Sequence, residues 1–157
     1  QSFKGAARRL ELLSKNETLS VFKDFAHSPS KLLATTAAVR QQFPNRKLIA
    51  CMELHTFSSL NENFLDEYKG TLELADKAIV YYNPQTIAHK KLPPISSERV
   101  QRAFDKKGLE IYTDAEQLKA DLLAMDTNNA AVLLMSSGTF DGLSLETLAQ
   151  TMVSHHS

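Results

Sequence analysis

The chain has only one cysteine and no excess of charge of either sign, and each shortage excludes a class of protein. Cys51 alone cannot form an internal disulfide, which is typical of proteins from a reducing compartment. The 18 basic and 18 acidic residues balance, so no overall field favours nucleic acid or an anionic membrane as a partner. No apolar run approaches the roughly 20 residues that cross a bilayer, and residues 1–10 lack the apolar stretch of a secretion signal. The composition predicts a soluble cytoplasmic domain.

The sequence motifs of several self-contained enzymes are also missing. The chain has no G-x-x-x-x-G-K-[ST] phosphate loop and no G-x-G-x-x-G fingerprint of a dinucleotide site. It has no G-x-S-x-G nucleophile elbow and no H-E-x-x-H metal helix. Cys51 lies in the apolar run 48–52 without an activating neighbour, so we interpret it as a core residue. We therefore expect no catalytic residue and no bound metal in this chain.

The pattern of apolar residues predicts a single α/β domain over residues 1–157. Two strand-like runs, 10–14 and 18–24, flank a polar turn and predict an antiparallel hairpin. Further strands are predicted at 48–54, 78–82, 109–112 and 131–135, and helices at 28–44, 61–75, 97–104, 115–124 and 144–153. This alternation predicts a Rossmann-like, mostly parallel sheet with helices on both faces. The segment 85–95, which contains Pro93 and Pro94, is predicted to be a surface loop.

Three polar segments follow predicted strands: residues 24–29, 53–59 and 136–142. In open α/β sheets, ligands bind at the carboxyl ends of the strands, so the three segments could line one cleft.

Each polar segment also has a purely structural interpretation. Asp24 and Ser28 could simply cap the following helix, and His27 and His55 could be structural histidines bonded to the backbone. Residues 136–142 could be no more than a turn between a strand and a helix. A zinc site formed by Asp24, His27 and His55 is disfavoured, because the sequence has no closely spaced pair of ligands.

Four segments of the sequence resemble motifs of the Mur ligase family, in the same order along nearly the whole chain. Residues 3–11, F-K-G-A-A-R-R-L-E, resemble G-x-x-R-R-x-E, and residues 24–29, D-F-A-H-S-P, resemble D-[YF]-[GA]-H-H-P. Residues 53–58, E-L-H-T-F-S, resemble E-P-H-x-[YF]-[ST], and Ala75-Asp76 resembles the family's A-D-x-[VI] pattern. The chain is thus similar to the C-terminal domain of these ligases. Residues 135–142, M-S-S-G-T-F-D-G, resemble the M-S-N-G-G-F-G-G segment of the murein peptide ligases within the family.

The resemblance implies an ATP-dependent ligase whose N-terminal and central ATP-binding domains are absent from this sequence. Such an enzyme would join the murein tripeptide L-alanyl-γ-D-glutamyl-meso-diaminopimelate to UDP-N-acetylmuramate in peptidoglycan recycling. ATP and Mg²⁺ would be held mainly by the central domain, and the isolated chain would be inactive. Two alternatives remain open: the same domain of a UDP-N-acetylmuramate–L-alanine ligase, or a stand-alone doubly wound binding module.

The resemblance also implies roles for individual residues. Those expected to contact the nucleotide are Arg9, Asp24 and His27. Those expected to contact the incoming amino substrate are His55, Thr56, Ser58, Ser136, Ser137 and Gly138. The sequence departs from the family pattern at several of these segments: Ser28 stands where a second histidine is usual, Lys23 replaces an acid, and Thr56 and Ser59 replace arginines.

Overall fold

The described part of the protein, residues 10–155 of a computed structural model, is built on one six-stranded sheet. The strands are β1 (Glu11–Lys15), β2 (Leu19–Asp24), β3 (Lys47–Leu54), β4 (Lys77–Tyr82), β5 (Glu110–Tyr112) and β6 (Ala130–Met135). Their order across the sheet is β1-β2-β6-β3-β4-β5. Because β6 is inserted between β2 and β3, the last strand of the chain forms the centre of the sheet.

The first two strands form the predicted antiparallel hairpin, in which Glu11 pairs with Lys23. Its turn is stabilised by the side chain of Asn16, whose Oδ1 accepts hydrogen bonds from the backbone N–H of Thr18 and of Leu19, both at 2.8 Å. Every other pair of neighbouring strands is parallel. The predicted fold class, a mostly parallel sheet with an N-terminal hairpin, is confirmed.

Within residues 10–155, six α-helices cover the two faces of the sheet. They are α1 (Pro29–Gln42), α2 (Glu62–Leu65), α3 (Pro84–His89), α4 (Ser97–Phe104), α5 (Ala115–Ala124) and α6 (Leu145–His155), with a 3-10 turn at Asp66–Tyr68. Buried residues of α1 to α4 pack on one face, and those of α5 and α6 pack on the other. Among residues 10–155, no helix combines the length and the apolar character needed to cross a membrane.

Strand β3 shows why its sequence is almost continuously apolar. Leu48, Ala50 and Met52 belong to the core under α1 to α4, whereas Ile49 and Cys51 belong to the core under α5 and α6. A strand covered on both faces needs apolar residues at successive positions rather than at alternate ones. All five side chains are at most 1% exposed.

The prediction of a helix over residues 61–75 is wrong. Helix α2 ends at Leu65, a 3-10 turn follows, and Gly70 then takes a φ of +80°, which a right-handed helix cannot contain. The apolar positions behind the prediction are nevertheless buried: Leu65, Tyr68, Leu72 and Ala75 all belong to the core. The spacing of buried residues was therefore correct, but the backbone that presents them is not one regular helix.

The prediction of a loop over residues 85–95 is also wrong in its first part, where α3 forms. The Asn83 side chain accepts a hydrogen bond from the Gln85 backbone N–H at 2.8 Å, and Pro84 occupies the first turn. At the start of α1, Ser28 makes no hydrogen bond as a side-chain cap, so its predicted capping role is wrong as well.

Candidate functional site

The three polar segments of the sequence meet at the carboxyl edge of the three adjacent strands β2, β6 and β3. In the register of the sheet, Met135 of β6 lies opposite both Asp24 of β2 and Met52 of β3. One residue further on, the backbone N–H of Ser136 donates to the Asp24 carbonyl oxygen at 3.0 Å, and its hydroxyl donates to Glu53 Oε1 at 2.6 Å. Asp24, Ser136 and Glu53 therefore form a continuous polar row across the sheet.

Asp24 is the first member of this row and is 7% exposed. Its Oδ2 accepts hydrogen bonds from the Ala26 backbone N–H at 2.9 Å and from the Thr35 hydroxyl at 3.1 Å. These bonds hold the turn between β2 and α1, which corresponds in part to the structural role weighed for Asp24 above. Within residues 10–155, both of these bonds go to Oδ2 rather than Oδ1.

His27 and Arg9 are the other two residues predicted to contact a nucleotide. The His27 ring lies beside its own turn, with Nδ1 at 3.0 Å from the Phe25 carbonyl oxygen, and the His27 carbonyl accepts a hydrogen bond from the Tyr68 hydroxyl. Arg9 lies outside the described residues. The structure therefore brings Asp24 and His27 together in one turn, and the placement of Arg9 stays a prediction.

The segment after β3 forms a compact turn that uses much of its own polar capacity. The Thr56 hydroxyl donates to Ser59 Oγ and accepts from the Ser59 backbone N–H, both at 3.0 Å. Ser58 is exposed, and His55 is partly buried, with 38% of its side chain exposed. Of the three residues predicted here for an amino substrate, His55 and Ser58 present side chains to solvent, whereas the Thr56 hydroxyl is engaged within its turn.

The segment after β6 lies directly against His55. The Gly138 backbone N–H donates to Ser136 Oγ at 2.7 Å, which holds the segment close to the sheet. A Cβ on Gly138 would lie 2.7 Å from Cδ2 of the His55 ring, so the ring rests on a position that only glycine leaves open. Beside it, Ser137 Oγ is buried and has no hydrogen-bond partner within residues 10–155. A buried hydroxyl without a protein partner is rare, and ordered water or another polar group commonly satisfies it.

Glu53 is the residue of this edge to which sequence reasoning assigned no role. It lies in a buried strand, is 2% exposed, and accepts hydrogen bonds from Ser136 and from the Phe140 backbone N–H at 2.9 Å. The signal for it was visible, because Glu53 is the only acid in the apolar run 48–54. A buried carboxylate is costly unless several donors surround it, so an acid within such a run indicates an organised polar site.

A pocket of about 310 Å³ opens beside the first and third segments. Asp24, Ser136 and Gly138 line its polar side, and Leu134 and Leu143 line its apolar side. Phe25, which is 58% exposed, forms part of the rim. The pocket therefore combines apolar side chains with Asp24 and Ser136 of the polar row, which suits a ligand that has both an apolar and a polar part.

The described residues offer little of their own for covalent or metal chemistry. Within residues 10–155, no group of three or more histidine, cysteine or acidic side chains could hold a metal ion. Burial raises the pKa of the Cys51 thiol, and the Glu53 carboxylate raises it further. A neutral, fully buried thiol is a poor nucleophile. What remains is an edge that can bind and orient ligands.

Comparison with known proteins assigns this edge to a family. The model of the family described as "Mur ligase, glutamate ligase domain" matches residues 8–138. This stretch contains the first two polar segments and the third as far as Gly138. The chain belongs to the Mur ligase family. Its described fold is that of the C-terminal domain of this family, and the three segments are the parts of the Mur ligase domain that follow its parallel strands.

Individual relatives agree with this assignment. A UDP-N-acetylmuramate–L-alanine ligase from Levilactobacillus brevis is 31% identical over 155 residues, which cover 98% of this Mur ligase domain and 32% of the relative. The murein peptide ligase of Psychrobacter arcticus has the same fold, with a TM-score of 0.67 at 20% identity, and the match covers 94% of this chain and 29% of that one. The chain thus spans about a third of the length of the curated relatives it matches.

A single domain from Haemophilus ducreyi has also been solved by itself. It matches with a TM-score of 0.60 at 21% identity, and the match covers 93% of this chain and 98% of that one. A Mur ligase domain of these dimensions therefore exists as a separate folded unit.

Proposed function

We propose that this chain contributes nucleotide and amino-substrate contacts to an ATP-dependent ligase of the cytoplasm that joins a murein tripeptide to UDP-N-acetylmuramate in peptidoglycan recycling. The observation that carries the proposal is the polar row Asp24–Ser136–Glu53, which unites the three segments that resemble Mur ligase motifs at one edge of the sheet. The row has no phosphate loop beside it in this sequence, so ATP would be bound between this domain and a preceding one.

The reaction we propose proceeds through an acyl phosphate. The carboxylate of UDP-N-acetylmuramate attacks the γ-phosphate of ATP, and ADP leaves. The amine of the tripeptide then attacks the acyl carbon, forms the new C–N bond and loses a proton, and the C–O bond to inorganic phosphate breaks. Water would hydrolyse the acyl phosphate, so a domain that closes over it protects the intermediate.

In this proposal, Asp24, His27 and Arg9 serve the nucleotide side of the cleft. Asp24 Oδ2 is occupied by its own turn, whereas Oδ1 can accept a hydrogen bond from a ribose hydroxyl. Arg9 would pair with phosphate or stack on the base, as a guanidinium can do both. Mg²⁺ would neutralise the phosphates. The resemblance to Mur ligases assigns the ion mainly to the preceding domain, as it does ATP.

His55, Ser58 and the segment Ser136–Gly138 serve the amino-substrate side. The His55 ring is partly exposed and rests on Gly138, so one face of it is available to a substrate. Ser137 Oγ is a buried hydroxyl that a substrate carboxylate or amide could satisfy. Thr56 supports this side by fixing the turn that follows His55.

A second candidate substrate is free L-alanine instead of the tripeptide. It is favoured by the names of the curated relatives, since those at 27% to 32% identity are UDP-N-acetylmuramate–L-alanine ligases. The tripeptide is favoured by the resemblance of residues 135–142 to the murein peptide ligases. Both reactions share the same chemistry and differ in the amine.

The proposal is tested with the longer protein that carries this chain, by measuring ADP release with UDP-N-acetylmuramate and either the tripeptide or L-alanine. We expect release that depends on the tripeptide, and the 157-residue chain by itself should release none. Asp24→Ala and Arg9→Ala should each raise the KM for ATP or lower kcat by about tenfold or more. If a folded longer protein releases no ADP with either amine, the ligase proposal is wrong.

A binding module that acts alone is distinguished from half of a cleft by calorimetry. The 157-residue chain is titrated with ATP, UDP-N-acetylmuramate and the tripeptide. We expect weak binding or none, because each ligand would meet only one wall of its site. A dissociation constant of about 1 µM or lower for any of them would favour the stand-alone module.

A further inference from the structure

Glu53 is a buried carboxylate placed where it can control several parts of the candidate site at once. It is the penultimate residue of β3 and is 2% exposed, between apolar neighbours that are equally buried. A charge in such a place is retained only where donors compensate the loss of water. Within residues 10–155, the groups that donate hydrogen bonds to it belong to the segment that follows β6, the strand next to β3.

Two hydrogen bonds converge on a single oxygen of this carboxylate. Oε1 accepts the Ser136 hydroxyl at 2.6 Å and the Phe140 backbone N–H at 2.9 Å. Ser136 Oγ in turn accepts the Gly138 backbone N–H at 2.7 Å. Bonds to an ionised acceptor are stronger than bonds between neutral groups. Glu53 therefore fixes the path of residues 136–140, directly through two of them and through Ser136 for Gly138.

The other oxygen of Glu53 faces His55. Oε2 lies 3.7 Å from His55 Nδ1, which is longer than a hydrogen bond and forms an ion pair only when the imidazole is protonated. Gly138 also restricts the position of the His55 ring. The ring lies so close to the Gly138 backbone that a Cβ on this residue would be 2.7 Å from His55 Cδ2. The carboxylate thus acts on the ring from one side and fixes the backbone that supports it on the other.

We propose that Glu53 is a positioning residue, which sets the His55 ring and the segment 136–140 to receive the amino substrate. The inference rests on the proposed ligase function, because that function assigns this side of the cleft to the amine. Glu53 is too buried to touch a substrate itself. It acts through the groups it holds, and its negative charge is what holds them together.

The alternative is that Glu53 only maintains the fold, and isosteric substitution separates the two. Glu53→Gln keeps the shape and one acceptor oxygen but removes the charge that acts on His55. Glu98→Gln is the matched control, because Glu98 is exposed on α4 and its side chain bonds to no described residue. Ser136→Ala is a second probe, which removes one link of the same network and leaves the charge in place.

The first readout uses the 157-residue chain and nuclear magnetic resonance. In Glu53→Gln we expect the ring signals of His55 and the amide signals of Gly138 and Phe140 to shift together, while residues at the amino edge of the sheet keep theirs. Glu98→Gln should leave all these signals unchanged. A Glu53→Gln spectrum in which His55 does not move would overturn the proposal.

The second readout uses the longer protein and steady-state kinetics. Glu53→Gln should raise the KM for the amine about tenfold and leave the KM for ATP within about twofold of wild type. Ser136→Ala should also raise the KM for the amine, by a smaller factor. If the Glu53 variant does not fold, Ser136→Ala replaces it in the test. An unchanged KM for the amine, or equal increases in both KM values, would contradict a positioning role.

ADP release by the wild-type protein distinguishes failure of this inference from failure of the proposed function. If wild type releases no ADP with either amine, the ligase function is wrong and the assignment of Glu53 to an amino-substrate site falls with it. If wild type is active and Glu53→Gln has wild-type kinetics, the function stands and only the role of Glu53 is refuted.

Discussion

The Tyr81 hydroxyl donates a hydrogen bond to the Asp141 carboxylate, which joins the end of β4 to the turn after β6. The same carboxylate oxygen accepts a bond from the Asn83 side-chain amide at 3.0 Å. Asp141 stands where the similar segment of murein peptide ligases has a glycine, and its φ is +55°, between Phe140 at +51° and Gly142 at +86°. Side chains that carry a Cβ are disfavoured in this region. The bonds from Tyr81 of β4 and from Asn83, which follows β4, therefore hold the turn in a conformation that its own residues disfavour.

The first prediction compares two aspartates that share a positive φ. Asp141→Gly removes the backbone strain but also the bonds from Tyr81 and Asn83, and we expect the free energy of unfolding to fall by about 1 kcal/mol. Asp105, with a φ of +50°, caps α4 and its carboxylate bonds to no described residue. Asp105→Gly should therefore leave stability unchanged or raise it by up to about 1 kcal/mol. Urea unfolding of the two variants tests this prediction. Changes in the free energy of unfolding of the same sign and size would show that the contact between Tyr81 and Asp141 does not stabilise the fold.

The second prediction concerns the contact between Gly138 and His55. Gly138→Ala forces the His55 ring to move, and because 38% of that side chain is exposed the ring can swing outward. We expect a loss of less than about 1 kcal/mol in stability but a rise of about tenfold in the KM for the amine. Gly108→Ala provides the reverse control. No atom lies within 4 Å of a Cβ there, but its φ of +78° makes alanine unfavourable, so stability should fall and the KM should not change.

The third prediction is a loss of stability in acid that depends on Asp76. Burial by itself raises the pKa of the Asp76 carboxyl, but hydrogen bonds from the Leu48 backbone N–H and from Arg40, with the charges of Arg40 and Lys106, outweigh it and lower the pKa. A lowered pKa in the folded state stabilises the protein above the unfolded value of about 4. That contribution is lost as the pH falls through the folded value.

Asp76→Asn tests this directly by urea unfolding between pH 7 and pH 3. The variant should be less stable than wild type at pH 7, and the difference should shrink as the pH falls below about 4. Asp105→Asn is the control, because the Asp105 carboxylate has no such bonds. The difference in the free energy of unfolding between this variant and wild type should stay constant with pH. A constant difference for Asp76→Asn across the whole range would refute the prediction.

The fourth prediction is a loss of stability in alkali. Burial raises the pKa of Tyr68, Tyr81 and Tyr112, and for the last two the carboxylates of Asp141 and Asp121 raise it further. A raised pKa in the folded state contributes stability in full below the unfolded value of about 10, and the contribution is lost as the pH rises through the folded value. The phenolate absorbance of Tyr68, Tyr81 and Tyr112 should therefore appear together with unfolding. Titration of all four tyrosines with an intact circular-dichroism spectrum would disagree with this.

Much of the sheet could be predicted because its strands are covered on both faces. After the first residue of β3 and of β4, the runs that form β3, β4 and β6 are apolar except for Glu53, and every residue in them is buried. The failure at residues 61–75 has a local cause. Amphipathic spacing reports which side chains are buried. It does not report that Gly70, with its positive φ, breaks the helix, so that Leu72 and Ala75 are buried from a non-helical backbone. At α3, the cap Asn83 and the following proline favoured a helix. The prediction of a loop gave more weight to the nearby Pro93 and Pro94.

The sequence by itself determined the alternation of strands and helices, the two-sided burial of the central strands and the three polar segments at strand ends, because periodicity, caps and apolar runs are local properties of the chain. Only the tertiary structure decided that β6 lies between β2 and β3. That placement brings Ser136 to Glu53 across 83 residues of chain and to Asp24 on its other side. No local signal encodes strand order, since it is set by how helices on both faces pack against the whole sheet at once. The bonds of Glu53 to the segment after β6 exist only as a consequence of that order.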